Sequence, residues 1–276
     1  MVKQITAVGL VAALASASVA GIVGFDSADD AAYDDGWADN SNGGFGFGGW
    51  AFASETSNGF AGRFVADQNA DGPSNVLNGN PGRAWALFAN NGDGAERSAA
   101  FRAFGTDIGT AGTSLEITLE YGFIGDGGRI GIALRHGNTN TTFNDVSAGS
   151  AAELFFEGGD ANFTVLDASG EIETGAGFGF DGITARFIFT GGGAFDLQIE
   201  RFFSESGDSD IATTPGLQLA NVGPIQSIAL FSDDGGNSGG VNSDVYFNNL
   251  TIAIPAPGSA ILVAFAAVAV RRRRYH

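Results

Sequence analysis

In Leu115-Glu116-Ile117-Thr118-Leu119-Glu120-Tyr121 apolar and polar residues alternate without a break. A strand with that pattern carries Leu115, Ile117, Leu119 and Tyr121 on one face and Glu116, Thr118 and Glu120 on the other. The same pattern recurs at 129–135, 183–189, 195–200 and 245–247. Between these runs lie turn clusters: Gly125-Asp126-Gly127-Gly128, Glu157-Gly158-Gly159-Asp160, Gly191-Gly192-Gly193 and Asp233-Asp234-Gly235-Gly236. No helical period of useful length competes outside the two chain ends. Short strands at near-regular spacing predict an all-β fold, a two-sheet antiparallel β-sandwich with about ten to twelve strands, enough for a jelly roll.

Composition supports one such domain. Phe is abundant at 24 residues against a single Met, so rigid rings are expected to fill the core. Glycine reaches 44 of 276 residues, but with 6 Pro and no Gly-X-Y period the chain is not collagen-like. There is no Cys, which excludes disulfides, thiol nucleophiles and Cys-type metal sites. Asp and Glu number 31 against 13 Lys and Arg, a net charge of −18, which repels nucleic acid; no nucleic-acid partner is expected.

The two ends read as routing segments. Lys3 precedes an apolar run from Ile5 to Ala15, and small residues follow, with Ser18 and Ala20 placed for a cut before Gly21. That order is a signal peptide over residues 1–20, with a competing cut after Ala17. At the other end Pro255-Ala256-Pro257-Gly258 precedes small and apolar residues from Ser259 to Val270, then Arg271-Arg272-Arg273-Arg274. An apolar helix of this length covers about 18 Å, short of the ~30 Å hydrocarbon layer, so only a transient membrane association is expected. The arginines orient it with the body exported. Domain boundaries follow: 1–20 signal peptide, 21–252 one sandwich domain, 253–276 tail. Without its ends the body keeps eight arginines and no lysine against all the acidic residues.

This tail resembles the PEP-CTERM sorting signal of Gram-negative-type bacteria, in which a short Pro motif, an apolar stretch and an Arg cluster accompany an N-terminal signal peptide. Here Ala256 stands where that family carries Glu. The resemblance implies a precursor held briefly in the inner membrane, processing by a variant exosortase after passage through the secretion machinery, and delivery to the cell surface or extracellular matrix. The body is similar to jelly-roll modules found upstream of such signals, through 43–50, 83–90 and 244–250, and Asp244-Val245-Tyr246-Phe247-Asn248-Asn249-Leu250 is similar to the closing strand of carbohydrate-binding jelly rolls of concanavalin-like type. That likeness implies a structural calcium.

Asp67, Asn69 and Asp71, followed by Gly72, reproduce the first half of a calcium loop, although Asn78 stands where the bidentate Glu belongs. The competing reading is an Asx-rich turn. Asp244, with Asn248 and Asn249, is a second candidate metal site. Trp37, Trp50 and Trp85 are candidate stacking platforms for an extracellular polysaccharide, or else core residues. Gly44-x-Gly46-x-x-Gly49 matches a dinucleotide string without the required βαβ context and reads as a glycine-rich strand or bulge. Catalysis is not expected. His136 lacks a visible nucleophile, and the pairs Glu116/Glu120 and Glu153/Glu157 fall about 13 Å apart along a strand, beyond the ~5–9.5 Å that glycosidases use. The expected function is structural or adhesive. A calcium-dependent carbohydrate-binding module is the alternative, and a polysaccharide hydrolase a third reading.

Overall fold

The computed structural model describes residues 21–67, 82–90, 96–138, 140–178, 182–203, 206, 208–234 and 244–255. The signal segment 1–20 and residues 256–276, with the helices expected in them, lie outside this set. So do Ala256, Pro257, Gly258 and Arg271 to Arg274 of the sorting motif.

Strands dominate the described residues. In chain order they are β1 (Gly21–Asp26), β2 (Phe47–Glu55), β3 (Phe60–Asp67), β4 (Arg83–Asn90), β5 (Arg97–Ile108), β6 (Ser114–Tyr121), β7 (Arg129–Arg135), β8 (Ser150–Glu157), β9 (Asn162–Asp167), β10 (Gly170–Gly177), β11 (Ile183–Gly191), β12 (Ala194–Phe203), β13 (Asp208–Gln218), β14 (Ile225–Asp233) and β15 (Val245–Ile254). A four-residue helix, α1 (Asp145–Ala148), precedes β8. Sheet A runs β13-β12-β11-β6-β15-β4-β3, with β1 added to β15, and sheet B runs β10-β9-β8-β7-β14-β5-β2. Neighbours within each sheet pair antiparallel. The fold is a two-sheet antiparallel sandwich of jelly-roll type.

The strand number exceeds the sequence expectation because the outermost strands carry little pattern. β13 is mostly exposed and contains Pro215. Proline is tolerated there because the strand forms the sheet edge, and Asp208 and Asp210 discourage pairing with another chain. On β6, by contrast, alternation reads true: Leu115, Ile117, Leu119 and Tyr121 are fully buried between the sheets. Its other face is not uniformly wet, since Glu120 is also buried. Each large inward side chain contributes about 1.5–3 kcal/mol.

Two aromatic clusters fill the interior. Tyr121, Phe156, Phe163 and Phe178 meet at ring distances of 5.0 to 5.9 Å. Trp37, Trp50, Trp85 and Tyr33 form the other, with Trp37 edge-on to Trp50 at 5.0 Å and stacked on Trp85 at 6.1 Å. The strands β2 and β3 form neighbouring edges of the two sheets. Glu96 ties their connection down by accepting the amides of Ser57, Asn58 and Gly59 at 3.0, 3.1 and 2.8 Å.

Arginines hold the segment from β1 to β2: Arg83 donates to Tyr33 O at 3.2 Å and Asp30 O at 2.9 Å, Arg63 to Trp37 O, and Arg102 makes the most contacts. Arg102 on β5 points inward and is fully buried. All five donors of a guanidinium are engaged here. Nε donates to Gly48 O at 3.1 Å, Nη1 to Asp26 and to Tyr33 Oη, and Nη2 to Asn42 Oδ1 at 2.8 Å and Gly43 O at 3.1 Å. The rings of Phe47 and Trp50 lie against the group, each with its centroid 4.8 Å from the guanidinium carbon. Tyr33 Oη in turn donates to Asp26 at 2.5 Å and accepts from Trp50 Nε1 at 3.1 Å. Burial pushes this phenol up to about 12. Gly44 and Gly46 let the same segment lie against β1: both have positive φ, and a Cβ at either would stand 1.9 Å from Phe25 O or 2.2 Å from Val23 O. The glycine string is thus a close backbone approach followed by a register shift between Phe47 and Trp50, as its bulge reading expected.

Asp26→Asn leaves the Arg102 charge buried without its counter-ion, so it should cost about 3–5 kcal/mol, while replacing Asp26 and Arg102 together by Leu and Met should cost less than the single change. Urea midpoints check both; a single variant as stable as the parent contradicts this role for the pair.

Candidate ligand cleft on the outer face of sheet B

Register across sheet B aligns its outward side chains in rows. Glu55 on β2, Arg97 on β5, Asp233 on β14, Arg129 on β7 and Glu157 on β8 face one another in turn, alternating in charge over five strands. Arg97 Nε meets Asp233 Oδ1 at 2.9 Å and Arg129 Nη2 meets Glu157 Oε2 at 2.5 Å. The next row is Ala53, Ala99, Phe231, Gly131 and Phe155, and the one after it Ala51, Phe101, Ala229, Ala133, Glu153 and Leu166. Small residues alternate with phenyl rings because neighbouring strands leave room for only one large side chain at each crossing. A Cβ on Gly131 would lie 2.9 Å from the Phe231 ring.

Part of this face is roofed. Phe143 and Val146, carried by the α1 segment, join Phe101, Phe155 and Phe231 in a second buried cluster. Arginines cover its rings: Arg97 over Phe143 at 5.4 Å, Arg129 over Phe155 at 4.5 Å and Arg135 over Phe101 at 4.9 Å. Burial pulls the Arg135 guanidinium below its ordinary pKa, with Asp145 acting the other way. Asp145 anchors the roof by accepting the amides of Thr141 and Thr142 at 2.8 and 2.9 Å.

Where the roof stops, a cleft of ≈ 310 Å³ opens over β7, β8 and β9, lined among others by Arg129, Ser147, Ser150, Glu153, Leu166 and Asp167. Asp167 is held in place: Oδ1 accepts from Ser169 N and Oγ at 2.7 and 2.6 Å, and Oδ2 from Gln218 N at 2.9 Å. Arg129 is occupied by Glu157 and, at 3.8 Å, by Glu171. Glu153 differs. It is 8 % exposed and, among the described residues, takes part in no ion pair within 4 Å. Burial raises its pKa, against weaker pulls from the Ser150 hydroxyl and Arg129.

A second cleft, of ≈ 440 Å³, lies beside Trp37, Ser54, Gly62, Arg63 and Phe88, near the β2 and β3 edges. Its cation is used by the fold: Arg63 Nε donates to Trp37 O at 2.9 Å, and the guanidinium lies 3.6 Å over Phe52.

The tryptophans offered as candidate stacking platforms take the competing reading and are interior. Trp37, Trp50 and Trp85 are 4, 1 and 0 % exposed. Trp50 and Trp85 face inward from β2 and β4, and the chain after Tyr33 carries Trp37 onto both of them, so no face is left for a sugar ring. Of the calcium candidates, Asn69, Asp71 and the Asp67 side chain lie outside the described residues. Asp244 Oδ1 accepts from Asn90 Nδ2 at 3.0 Å, while Asn248 clamps Ala28 N and Arg83 O at 2.8 and 2.7 Å, so Asp244, Asn248 and Asn249 are not gathered around a shared point. Among the described residues no group of three or more His, Asp or Glu is placed to hold a metal. Of the carboxylate pairs, Glu116 pairs with Arg186 and Glu157 with Arg129, each across a strand junction. His136 Nδ1 lies 2.9 Å from Pro224 O. Glu153 was visible in sequence as half of a carboxylate pair; Arg129, Leu166 and Asp167 were not, because inter-strand register brings them to it.

No family model matches the sequence, and no curated protein does either. Among solved structures the chain is similar to a legume lectin-like domain from Entamoeba histolytica, at 10 % identity and TM-score 0.39 over 73 % of this chain and 87 % of that one. It is also similar to the exoplasmic/lumenal domain of VIP36 in its Ca2+/Man3GlcNAc-bound form, at 8 % identity and TM-score 0.43 over 75 % and 83 %. A third similar structure is a glycosyl hydrolase family 16 protein from Mycobacterium smegmatis, at 13 % identity and TM-score 0.40 over 74 % and 91 %.

Because the folded state binds the Glu153 proton more tightly than the unfolded chain, the stability this group contributes is complete below its ordinary value of 4.5 and is lost as pH rises through the raised one. Glu153→Gln stays neutral throughout. Urea midpoints of parent and variant should therefore coincide near about pH 4 and favour the variant near about pH 8; a gap of equal size at both pH values contradicts the assignment.

Proposed function

We propose that this is an exported protein of the cell surface or extracellular matrix whose sandwich serves as a non-enzymatic structural or adhesive module. Segment 1–20 directs export, and the segment from Pro255 to Arg274 directs exosortase-type processing. The pairing of the first and last strands is the observation that carries this reading. Ala28 N donates to Asn248, and Gly24 packs against Ile252, so β1 and β15 run in opposite directions and Ile22 and Ile254 leave sheet A side by side. A body attached through one end can lose either flanking segment without cutting into its core.

The charge distribution supports a structural role. Arg63, Arg83, Arg97, Arg102, Arg129, Arg186 and Arg201 each meet a carboxylate within 4.0 Å, all within the sandwich. These arginines therefore brace strands and loops, while the surplus of acidic groups keeps the surface soluble through mutual repulsion. Between residues 21 and 255, no described helix is long and apolar enough to cross a membrane.

Mass spectrometry of the termini of protein recovered from the producing cell tests the proposal. A mature chain beginning at Gly21 and lacking the residues after Pro257 is expected. Recovery of the chain with Met1 and the Arg271 to Arg274 cluster both intact overturns it.

A further inference from the structure

We propose that the cleft over β7, β8 and β9 is a binding site for a neutral, hydroxyl-rich ligand the size of a single sugar ring, with Glu153 as its anchoring group. This goes beyond the structural role proposed above and does not depend on how the chain ends are processed.

The lining selects the ligand class. Arg129 supplies one positive charge, already met by Glu157 and Glu171, and Asp167 one negative charge, already hydrogen-bonded through both oxygens. An anionic ligand would approach Glu153, Asp167 and Glu171 together. An ammonium group offers donors alone and leaves the hydroxyl protons of Ser147 and Ser150 in the lining without an acceptor. Glu153, buried and outside any ion pair among the described residues, presents acceptor oxygens beside the donors of Ser147, Ser150 and Arg129, and a hydroxyl, which both donates and accepts, matches such a mixed lining. The Ser150 hydroxyl beside it offers the same pairing. Leu166 supplies the apolar wall that the C–H face of a ring needs. At ≈ 310 Å³ the cleft sits at the small end of the ~300–1,000 Å³ range of ligand sites. The elevated proton affinity of Glu153 agrees with this choice, since a protonated carboxyl is at once donor and acceptor.

The experiment is a titration of the full chain, followed by amide NMR shifts at Ser150 and Leu166, with glucose, galactose, mannose and cellobiose as neutral probes and glucosamine and glucuronate as charged ones. At least one neutral sugar should move these amides. Affinity for it should fall as pH rises through the Glu153 titration. Glu153→Gln, whose amide also donates and accepts, should keep binding and lose the pH dependence, whereas Glu153→Ala should weaken binding about tenfold or more. Ala220→Trp, at an exposed position on the cleft rim, should abolish binding while the thermal midpoint stays near that of the parent. The proposal is overturned if no neutral probe moves the cleft amides, if a charged probe binds more tightly, or if the shifts survive Ala220→Trp.

Discussion

One buried guanidinium decides how the first strand of this protein joins the rest. Arg102 projects between the sheets, where an unpaired charge costs several kcal/mol, and every acceptor its five donors reach belongs to the stretch between Asp26 and Gly48. That stretch has only short runs of regular structure of its own. Much of it meets what Arg102 requires, a carboxylate at Asp26, a phenol at Tyr33, an amide oxygen at Asn42 and two backbone carbonyls, while Arg83 and Arg63 hold the carbonyls of Asp30, Tyr33 and Trp37. Once it is in place, Trp37 and Tyr33 pack on Trp50 and Trp85 beside the β2 and β3 edges.

The outer face of sheet B applies the opposite logic. There charge is distributed in alternating cross-strand pairs, and partly exposed arginines lie over phenyl rings, so no single pair carries much stability and the face as a whole is held in register. Against that background Glu153 stands out because it has no matching cation in its own row. Its row neighbours are Ala133 and Leu166, and the desolvation this creates is offset only partly by Ser150 and Arg129. Elsewhere on this face charges meet their opposites across strand junctions, whereas Glu153 is met by a hydroxyl and by an arginine already shared with Glu157.

Much of the fold was legible in the residues. The strands at 115–121, 129–135, 183–189 and 195–200 lie within β6, β7, β11 and β12, because a half-buried strand leaves a period of two that helices do not share. The edge strand β13 was not legible, since most of its side chains face solvent and carry no such contrast, and β10 was not because its inward positions beyond Ile172 are only Thr174 and Ala176, too small and polar to mark a strand. Glu120 and Arg102 escaped for a different reason: each is a charged residue in a buried position, where alternation alone predicts a wet one.

The tryptophans and the cleft show where the boundary falls. Sequence by itself determined that this chain forms strands, where the turns come, and which residues of a strand share a face, because all three depend on neighbours a few positions away. Tertiary structure alone decided that Trp37, Trp50 and Trp85 are interior, that Arg102 gathers the amino-terminal segment, and that Glu153 meets Leu166 and Arg129 across strand junctions. Those outcomes depend on inter-strand register and on which faces later segments cover, and both are settled by the simultaneous packing of residues far apart in the chain.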